Sequence, residues 1–279
     1  MTDPDEVRAP SYTRAMAEDE IPNPATRFSD ETWEKILTSG HRPLKAMRGM
    51  WRHLPSDPRC RLCVSPFGGF GGKVSGLMGF GPSRMNPNFC AKCLESLPPG
   101  GAEVDIAVLF ADVRGSTATG HGATATQFAG LMNRFYAKAA QVLIAHDALI
   151  DKLLGDEVMA LFVRGIAGPE YRQRACEAAV GLLETVAPGT DLGGEISIGV
   201  SVHSGPAFVG NVGGEGVFDF TALGDTVNVG ARLQSVAGPG ELVMSEAVFG
   251  STTGWNEAER KSVTVKGKPE PIEVRVVRI

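Results

Sequence analysis

A strand-length apolar run at residues 104–111 is the feature that most restricts what this chain can fold into. It reads VDIAVLFA and is followed directly by Asp112 and, three residues later, by a Gly-Ser-Thr turn that begins at residue 115. Such runs are typical of a strand that is buried on both faces of a sheet. Asp112 is therefore predicted at or near the end of a core strand, where a bare carboxylate is costly unless something positive compensates for it.

A second acidic residue follows within residues 149–162, LIDKLLGDEVMALF. Two apolar runs flank Gly155-Asp156, a pattern that predicts a hairpin with a two-residue turn and Asp156 at its tip. Such a pair taken alone is more often only a turn. Two acidic residues on adjacent core strands can nevertheless share divalent cations, and their hard oxygen ligands suit Mg²⁺ or Mn²⁺.

Length and charge narrow the class of protein. The 279 residues are enough for two domains, and the net charge of -5 argues against a nucleic-acid binder with a broad basic surface. No apolar run is long enough to span a bilayer, and the N-terminus lacks the basic and apolar regions of a signal peptide. These observations predict a soluble, cytoplasmic protein without a membrane span.

Four of the five cysteines form two Cys-x-x-Cys pairs, which predicts a metal site rather than disulfides in a reducing compartment. Each pair turns two thiolates toward one ion, and two pairs complete a tetrahedron. Zinc is the expected metal, and an iron–sulfur cluster, which uses the same four ligands, stays open as the alternative. The predicted ligands are Cys60, Cys63, Cys90 and Cys93. The fifth cysteine, Cys176, lies in a predicted helix and is expected in the core.

The chain divides at a Pro- and Gly-rich linker, residues 97–101. Residues 1–28 are polar, contain four prolines and are expected to form a disordered or extended arm. Residues 29–97 are expected to form a small helical and Cys-rich metal-binding module, and residues 102–279 a separate α+β domain.

The module begins with two predicted helices, at 29–37 and 43–53. Apolar residues follow one stripe of each. The basic residues Lys45, Arg48 and Arg52 of the second helix are expected on a solvated face.

Beyond the linker, strand-like and helix-like patterns alternate. The predicted helices are 124–146, 169–187 and one within 223–235, and the predicted strands after the hairpin are 195–202, 207–212, 262–265 and 272–277. This order predicts an α+β fold with a mixed or antiparallel sheet and flanking helices.

A further candidate site lies in residues 219–233, DFTALGDTVNVGARL. Asn228 and Arg232 are four residues apart, so on a helix they project from one face. An amide and a guanidinium aligned in this way suit an anionic transition state. One such pair alone is usually only surface, but here it accompanies Asp112 and Asp156.

Together these motifs resemble the catalytic domain of the class III nucleotidyl cyclases, the adenylate and guanylate cyclases. The resemblance covers residues 103–279 and rests on several motifs in the family's order, which is far more specific than any one of them. The matching segments are FADVRGST at 110–117, GD at 155–156, IGVSVHSGP at 198–206, GNVG at 210–213, residues 221–232, and VKGK at 265–268. The resemblance implies a ferredoxin-like, palm-type fold.

The resemblance implies a metal site and its chemistry. Asp112 and Asp156, with the backbone carbonyl of Val113, would hold two Mg²⁺ or Mn²⁺ ions. The ions would polarise the α-phosphate and lower the pKa of the ribose 3′-hydroxyl.

The resemblance also implies roles for five residues that bind the substrate. Lys152 and Thr221 occupy the base-selecting positions, and a lysine there argues for ATP because it donates to adenine N1 but cannot accept from the guanine N1–H. Asn228 would orient the ribose, and Arg232 would stabilise charge on the α-phosphate. Lys266 would bind the terminal phosphates.

In this family the metal aspartates come from one subunit and the ribose and transition-state residues from its partner, so the resemblance implies a homodimer. The chain departs from the family at residues 214–218, which lack the frequent basic phosphate contact. The expected activity is the conversion of ATP to cyclic AMP. The alternatives are a guanylate cyclase, a catalytically silent nucleotide-binding regulator, and a polymerase-like transferase, which would not need the Asn228/Arg232 helix.

Overall fold

The structure is a computed structural model that describes residues 30–40, 42–54, 58–83, 87–96, 100–115, 124–214 and 217–279. The predicted N-terminal arm therefore lies outside the described residues. So do Ser116 and Thr117 of the first motif, and residues 215–216 of the segment without a basic contact. Among the described helices, none is long and apolar enough to cross a membrane.

The described strands form one mixed sheet with helices on both faces. The strands are β1 (Gly101–Val113), β2 (Leu149–Leu154), β3 (Glu157–Val163), β4 (Ile198–Gly214), β5 (Val217–Leu223), β6 (Glu241–Ser245), β7 (Glu259–Val263) and β8 (Ile272–Arg278). Their order is β2-β3-β1-β4-β6-β8-β7, with β5 paired to β4. Among the described strands only β4 and β6 pair in parallel, so the predicted α+β fold with a mixed sheet is confirmed.

The helices of the described part are α1 (Asp30–Thr38), α2 (Arg42–Trp51), α3 (Gly69–Leu77), α4 (Ala91–Ser96), α5 (Ala125–Ala145), α6 (Arg164–Ala167), α7 (Tyr171–Thr185), α8 (Asp225–Val236) and α9 (Glu246–Phe249). The first four belong to the predicted N-terminal module. Helix α3 lies in the Gly-rich segment between the two Cys-x-x-Cys pairs, where the sequence analysis predicted no helix.

Strand β1 is an interior strand of the sheet, between β3 and β4, and its apolar run is buried on both faces as predicted. Ala107, Leu109 and Ala111 face a core formed with α5 and α7. Val108 and Phe110 face the opposite core, which the N-terminal module closes. The prediction that Asp112 lies near the end of a core strand is confirmed, since β1 ends at Val113.

The N-terminal module packs against the sheet face opposite α5 and α7. Trp33, Leu37 and Trp51 are each at most 2 % exposed and join the core that contains Phe110 of β1. Trp33 also stacks on Phe220 of β5, with the ring centroids 5.8 Å apart. Burying each of these large apolar side chains stabilises the docked arrangement by about 1.5–3 kcal/mol.

The predicted solvated basic face is wrong at Arg48. This residue is 2 % exposed, and its guanidinium donates to the carbonyl oxygens of Leu62 and Ala148, both at 2.7 Å. Burial lowers the pKa of Arg48 to about 10, which leaves it charged at neutral pH. Asp147 lies 3.9 Å away and pairs with Arg52 at 2.6 Å. Arg48 therefore joins α2, the first Cys-x-x-Cys loop and the segment before β2.

The two strands predicted at 195–202 and 207–212 are one strand, β4. The Gly205-Pro206 step between them does not break it, because Pro206 stays paired opposite Asp105 of β1. Thr226 Oγ1 donates to the Pro206 carbonyl at 2.6 Å. A Cβ on Gly205 would lie 2.8 Å from Thr226 Oγ1, so a larger residue would disturb this contact. The glycine and proline thus serve the docking of α8 rather than a turn.

Candidate functional site

The predicted metal ligands come together where β1 ends beside the β2–β3 hairpin. Asp112 lies directly opposite Glu157 in the β1–β3 register. The Val113 amide donates to the Asp156 carbonyl at 3.3 Å, which fixes the turn against the strand end. Gly155 has φ +66°, the left-handed conformation that a glycine adopts without strain. The predicted two-residue turn is confirmed.

The turn that carries Asp156 is held from the helix layer. The Tyr136 hydroxyl on α5 donates to the Gly155 carbonyl at 2.6 Å. Burial, and then the charge of Asp156, raise the pKa of Tyr136, so the phenol stays protonated as the donor. The position of Asp156 thus depends on a contact with α5 as well as on the hairpin.

The carboxylates of this cluster repel one another. Burial and then the nearby Asp156 raise the pKa of Asp112. Burial, and then the charges of Asp112 and Asp156, raise the pKa of Glu157. Glu157 was not predicted as part of the site, although it follows Gly155-Asp156 directly. A divalent cation relieves repulsion of this kind, and carboxylate and carbonyl oxygens are the ligands that Mg²⁺ and Mn²⁺ prefer. The donor set fits such ions.

One arginine lies beside the cluster without neutralising it. Arg114 Nη1 is 3.8 Å from Asp112 Oδ2, longer than a direct hydrogen bond. Its Nη2 donates to the Gln234 carbonyl at 2.8 Å. The guanidinium lies against Gly199, where a Cβ would be 2.5 Å from Arg114 Nε, so only glycine leaves room for it. Arg114 ties the metal-site strand to the end of α8.

Helix α8 presents Asn228 and Arg232 away from the sheet. Val229 and Leu233 are buried on its inner side. A Cβ on Gly230 would lie 2.9 Å from Val108 Cγ1, so the helix backbone rests directly on β1. Asn228 is exposed and Arg232 half-buried, as their common helical face requires.

The outer face of α8 meets the loop between β7 and β8. A Cβ on Gly267 would lie 3.2 Å from both terminal nitrogens of Arg232, so the guanidinium lies flat against this glycine. Lys266 is exposed in the same loop, and Lys268 Nζ is 2.6 Å from Asp225 Oδ2 at the start of α8. The structure therefore places Arg232 against the loop that also carries Lys266, the other predicted phosphate-binding residue.

The carboxylate cluster and the Arg232 side chain lie on different sides of α8. Among the described residues, no hydrogen bond or ion pair joins Asp112 or Asp156 to Asn228, Arg232 or Lys266. Gln234, which lies beside Asp112 and lowers its pKa, follows Arg232 by two residues. A separation of two residues corresponds to a rotation of about 200° around the axis of an α-helix. Arg232 is therefore on nearly the opposite side of α8 from the contact with Asp112.

The strands that carry the two predicted base-selecting residues, β2 and β5, are joined by a hydrogen bond at Asp151. A bulge in β2 leaves Asp151 unpaired between Ile150 and Lys152, and the strand resumes with Lys152 opposite Met159. Thr221 Oγ1 of β5 donates to Asp151 Oδ2 at 2.8 Å. Thr221 thus lies beside the residue that precedes Lys152. The hydrogen bond between Thr221 and Asp151 was not predicted from the sequence.

The four predicted cysteine ligands converge in the N-terminal module. Their sulfur atoms all lie within 4.8 Å of one another, and Cys63 Sγ is 3.7 Å from Cys90 Sγ. The edge of a tetrahedron of thiolates around one Zn²⁺ is about 3.8 Å, from a Zn–S distance of about 2.3 Å. The Cys90 amide donates to Cys60 Sγ, and the Cys93 amide to Cys90 Sγ, both at 3.3 Å. This site can hold a metal, whereas Cys176 is buried in α7 as expected.

Solved structures with the same fold are nucleotide cyclases of both kinds. A guanylyl cyclase, Cya2, matches with a TM-score of 0.58 and 24% identity over 64% of this chain and 93% of its own. The adenylyl cyclase CyaB of P. aeruginosa matches with a TM-score of 0.56 and 23% identity over 63% of this chain and 95% of its own. At these identities the likeness establishes the fold.

Curated relatives match the same region. Adenylate cyclase 1 of Rhizobium meliloti is 28% identical over 47% of this chain and 21% of its own length. An uncharacterised protein of Mycobacterium tuberculosis is 30% identical over 63% of this chain and 34% of its own length. The chain thus spans about a third or less of the length of these relatives.

The family model of the adenylate and guanylate cyclase catalytic domain matches residues 102–277. This range contains the sheet, the carboxylate cluster and helix α8. By this match and by its fold, the chain belongs to the class III adenylate and guanylate cyclases.

Proposed function

We propose that this protein is an adenylate cyclase that converts ATP to 3′,5′-cyclic AMP and pyrophosphate. The observation that carries the choice of base is the placement of Thr221 beside the Asp151-Lys152 bulge. Lys152 has only donor hydrogens, so it matches the N1 acceptor of adenine and opposes the N1–H of guanine. A guanylate cyclase is the second candidate, since solved proteins with this fold include guanylyl cyclases.

In this proposal two Mg²⁺ or Mn²⁺ ions would be held by the carboxylates of Asp112 and Asp156 and by the backbone carbonyl of Val113. When bound, the ions supply Lewis-acid polarisation of the α-phosphate and lower the pKa of the ribose 3′-hydroxyl. The chain's own contribution is to hold the carboxylates together despite their repulsion, through the Val113–Asp156 backbone bond and the Tyr136–Gly155 contact.

Helix α8 and the β7–β8 loop serve the phosphates and ribose. Asn228 orients the ribose from the exposed face of α8. Arg232, placed against Gly267, donates to the α-phosphate as negative charge builds there, and Lys266 of the same loop meets the terminal phosphates. Because these donors are already positioned, they need little reorganisation during the reaction.

The active form in this proposal is a homodimer. Within one chain Arg232 is turned about 200° around α8 from the side that meets Asp112. A second chain that brings its own α8 face to the first chain's carboxylates completes the site. Two-fold symmetry would then create two equivalent sites.

For the cysteine site we propose one Zn²⁺ with a structural role. The 3.7 Å separation of two sulfurs suits a single tetrahedral ion, whereas a multi-iron cluster places its own iron and sulfide atoms between the thiolates. A reducing cytoplasm, where thiols stay free, suits such a site. Phe89 precedes the ligand Cys90 and packs edge-on against Phe220, with centroids 6.2 Å apart. The metal would thereby steady β5 next to Thr221, which couples the module to the base pocket.

Replacing Cys60 and Cys63 together by serine should remove the metal and lower cyclase activity, because the loop that supports Phe89 and Phe220 loses its anchor. Elemental analysis and activity of the purified double variant would be measured together. Cys176→Ser, a change in the core away from the site, is the matched control and should keep the metal. A wild-type protein that contains no stoichiometric metal when freshly purified and reduced would contradict the proposal. A brown protein that contains iron and sulfide would show that the four cysteines bind an iron–sulfur cluster instead of zinc.

The proposed activity is tested by supplying purified protein with ATP or GTP in Mg²⁺ and in Mn²⁺ and identifying the products by chromatography. Cyclic AMP and pyrophosphate in equal amounts, with kcat/KM for ATP at least about 100-fold above that for GTP, is the expected result. Preference for GTP would establish the guanylate cyclase instead. Nucleotide binding without any cyclic product would indicate a silent regulator.

A further inference from the structure

Thr221 and Asp151 form a buried polar pair beside the proposed base site. Asp151 is 2 % exposed and Thr221 5 % exposed, and the hydroxyl donates to the carboxylate at 2.8 Å. The β2 bulge is what creates the pair, since a bulge adds a residue and redirects the side chains that follow it. In a regular strand without a bulge, Ile150 and Lys152 are two residues apart and would share the face that packs on the helix-side core.

Asp151 is held in a costly position. Its Oδ1 atom is buried without a hydrogen-bond partner among the described residues. Burial raises the pKa of Asp151 to about 6, while the Thr221 hydrogen bond and the charge of Lys152 act in the opposite direction. At pH 7.5 the group is therefore mainly a carboxylate, which only accepts hydrogen bonds. A buried carboxylate kept at such a cost calls for a purpose beyond packing.

The pair determines what Thr221 can offer a ligand. A hydroxyl has one proton and two lone pairs, and the proton of Thr221 is committed to Asp151. Toward any third group the Thr221 oxygen can then only accept. The 6-amino group of adenine is a donor, whereas the 6-oxo group of guanine is an acceptor.

We propose that Asp151 is a specificity-determining residue that acts through Thr221: by holding the hydroxyl proton, it makes Thr221 an acceptor that admits 6-aminopurine nucleotides and rejects 6-oxopurine nucleotides. This inference rests on the proposed function and deepens it. Lys152 and Thr221 then form one donor and one acceptor, which match the N1 and 6-amino groups of adenine and oppose both corresponding groups of guanine. Asp151 is a positioning residue, because it reaches the base only through Thr221.

The test compares kcat/KM for ATP and for GTP in the unmodified chain and in four variants of it. Asp151→Asn keeps the shape, but its amide can donate to Thr221 and release the hydroxyl proton toward the base. The ATP:GTP ratio should fall by about 10-fold or more. Thr221→Ser, which keeps a hydroxyl, should retain the ratio. Thr221→Val should lose it, and the double variant Asp151→Asn/Thr221→Val should lose no more than Thr221→Val alone.

The outcomes separate this inference from the proposed function. A wild-type protein that prefers GTP would overturn both. A wild-type preference for ATP that survives Asp151→Asn in folded protein would overturn the role of Asp151 while leaving the adenylate cyclase standing. Additive losses in the double variant would also overturn it, because they would mean that Asp151 acts other than through Thr221. If Asp151→Asn does not fold, an equal ATP:GTP ratio in Thr221→Ser and Thr221→Val overturns the proposal, and a ratio kept only by serine supports it.

Discussion

Replacing Asp112 or Asp156 by asparagine should lower cyclic AMP formation by at least about 10³-fold. Each change removes a charged oxygen ligand from the proposed two-ion site while keeping the side-chain shape, and loss of several kcal/mol of transition-state stabilisation has this effect on rate. Turnover would be measured with Mg²⁺ and with Mn²⁺. The stability of the Asp112→Asn chain should hold or rise, because burial and then repulsion by Asp156 raise the pKa of Asp112, and an uncharged asparagine avoids both costs.

Asp105→Asn is the matched control for this experiment. It makes the same chemical change on the same strand, but Asp105 pairs with Arg172 at 2.7 Å, away from the carboxylate cluster. Activity of this variant should stay close to that of the wild type. Activity within about tenfold of the wild type in either metal for a folded Asp112→Asn protein would remove Asp112 from the mechanism.

Replacing Arg232 by alanine should lower kcat by about 10²–10³-fold with a much smaller change in KM, the pattern expected when a donor acts mainly on transition-state charge. Arg232→Lys should recover little, since a lysine cannot reproduce the planar fork of the guanidinium. Arg260→Ala is the control, because Arg260 is an exposed arginine that pairs with Glu273 at 2.8 Å. Steady-state kinetics with ATP provide both constants. A rise in KM with unchanged kcat would assign Arg232 to ground-state binding instead.

The elements that carry the candidate site could be predicted from local patterns. The β1 apolar run, the Gly155-Asp156 turn and the helix with Asn228 and Arg232 all appear where periodicity and turn chemistry place them. In each case the pattern repeats within one segment, so the neighbours along the chain decide the structure. The convergence of the four cysteines could be predicted for the same reason, from two short repeated motifs.

The contacts between distant segments could not be predicted in this way. Arg48 lies on a stripe with Leu44 and Trp51, but its acceptors, Leu62 and Ala148, are 14 and 100 residues away. The burial of Asp151 could not be predicted either, because it follows from the bulge in β2 and from the approach of β5. A charged residue in a helix or strand normally indicates an exposed face, and only the tertiary partner reverses that expectation.

The position of the N-terminal module against the sheet could not be predicted from the sequence either. Its apolar residues predicted helices with one buried stripe, and nothing local indicated that the stripe would close the second face of the sheet. In the structure Trp33 and Phe89 both meet Phe220, the neighbour of Thr221. The cysteine site and the proposed base site are therefore linked by direct packing.

If, as proposed, catalysis needs the carboxylates of one chain and the α8 face of another, two inactive variants should restore activity when they are combined in one dimer. Asp112→Asn and Arg232→Ala chains, carrying different tags, would be co-expressed and the mixed dimers isolated by both tags. Each mixed dimer has one intact site of two, so cyclic AMP formation should return to about half of the wild-type rate per dimer. Mixed dimers that form but remain as inactive as either parent would contradict the shared site.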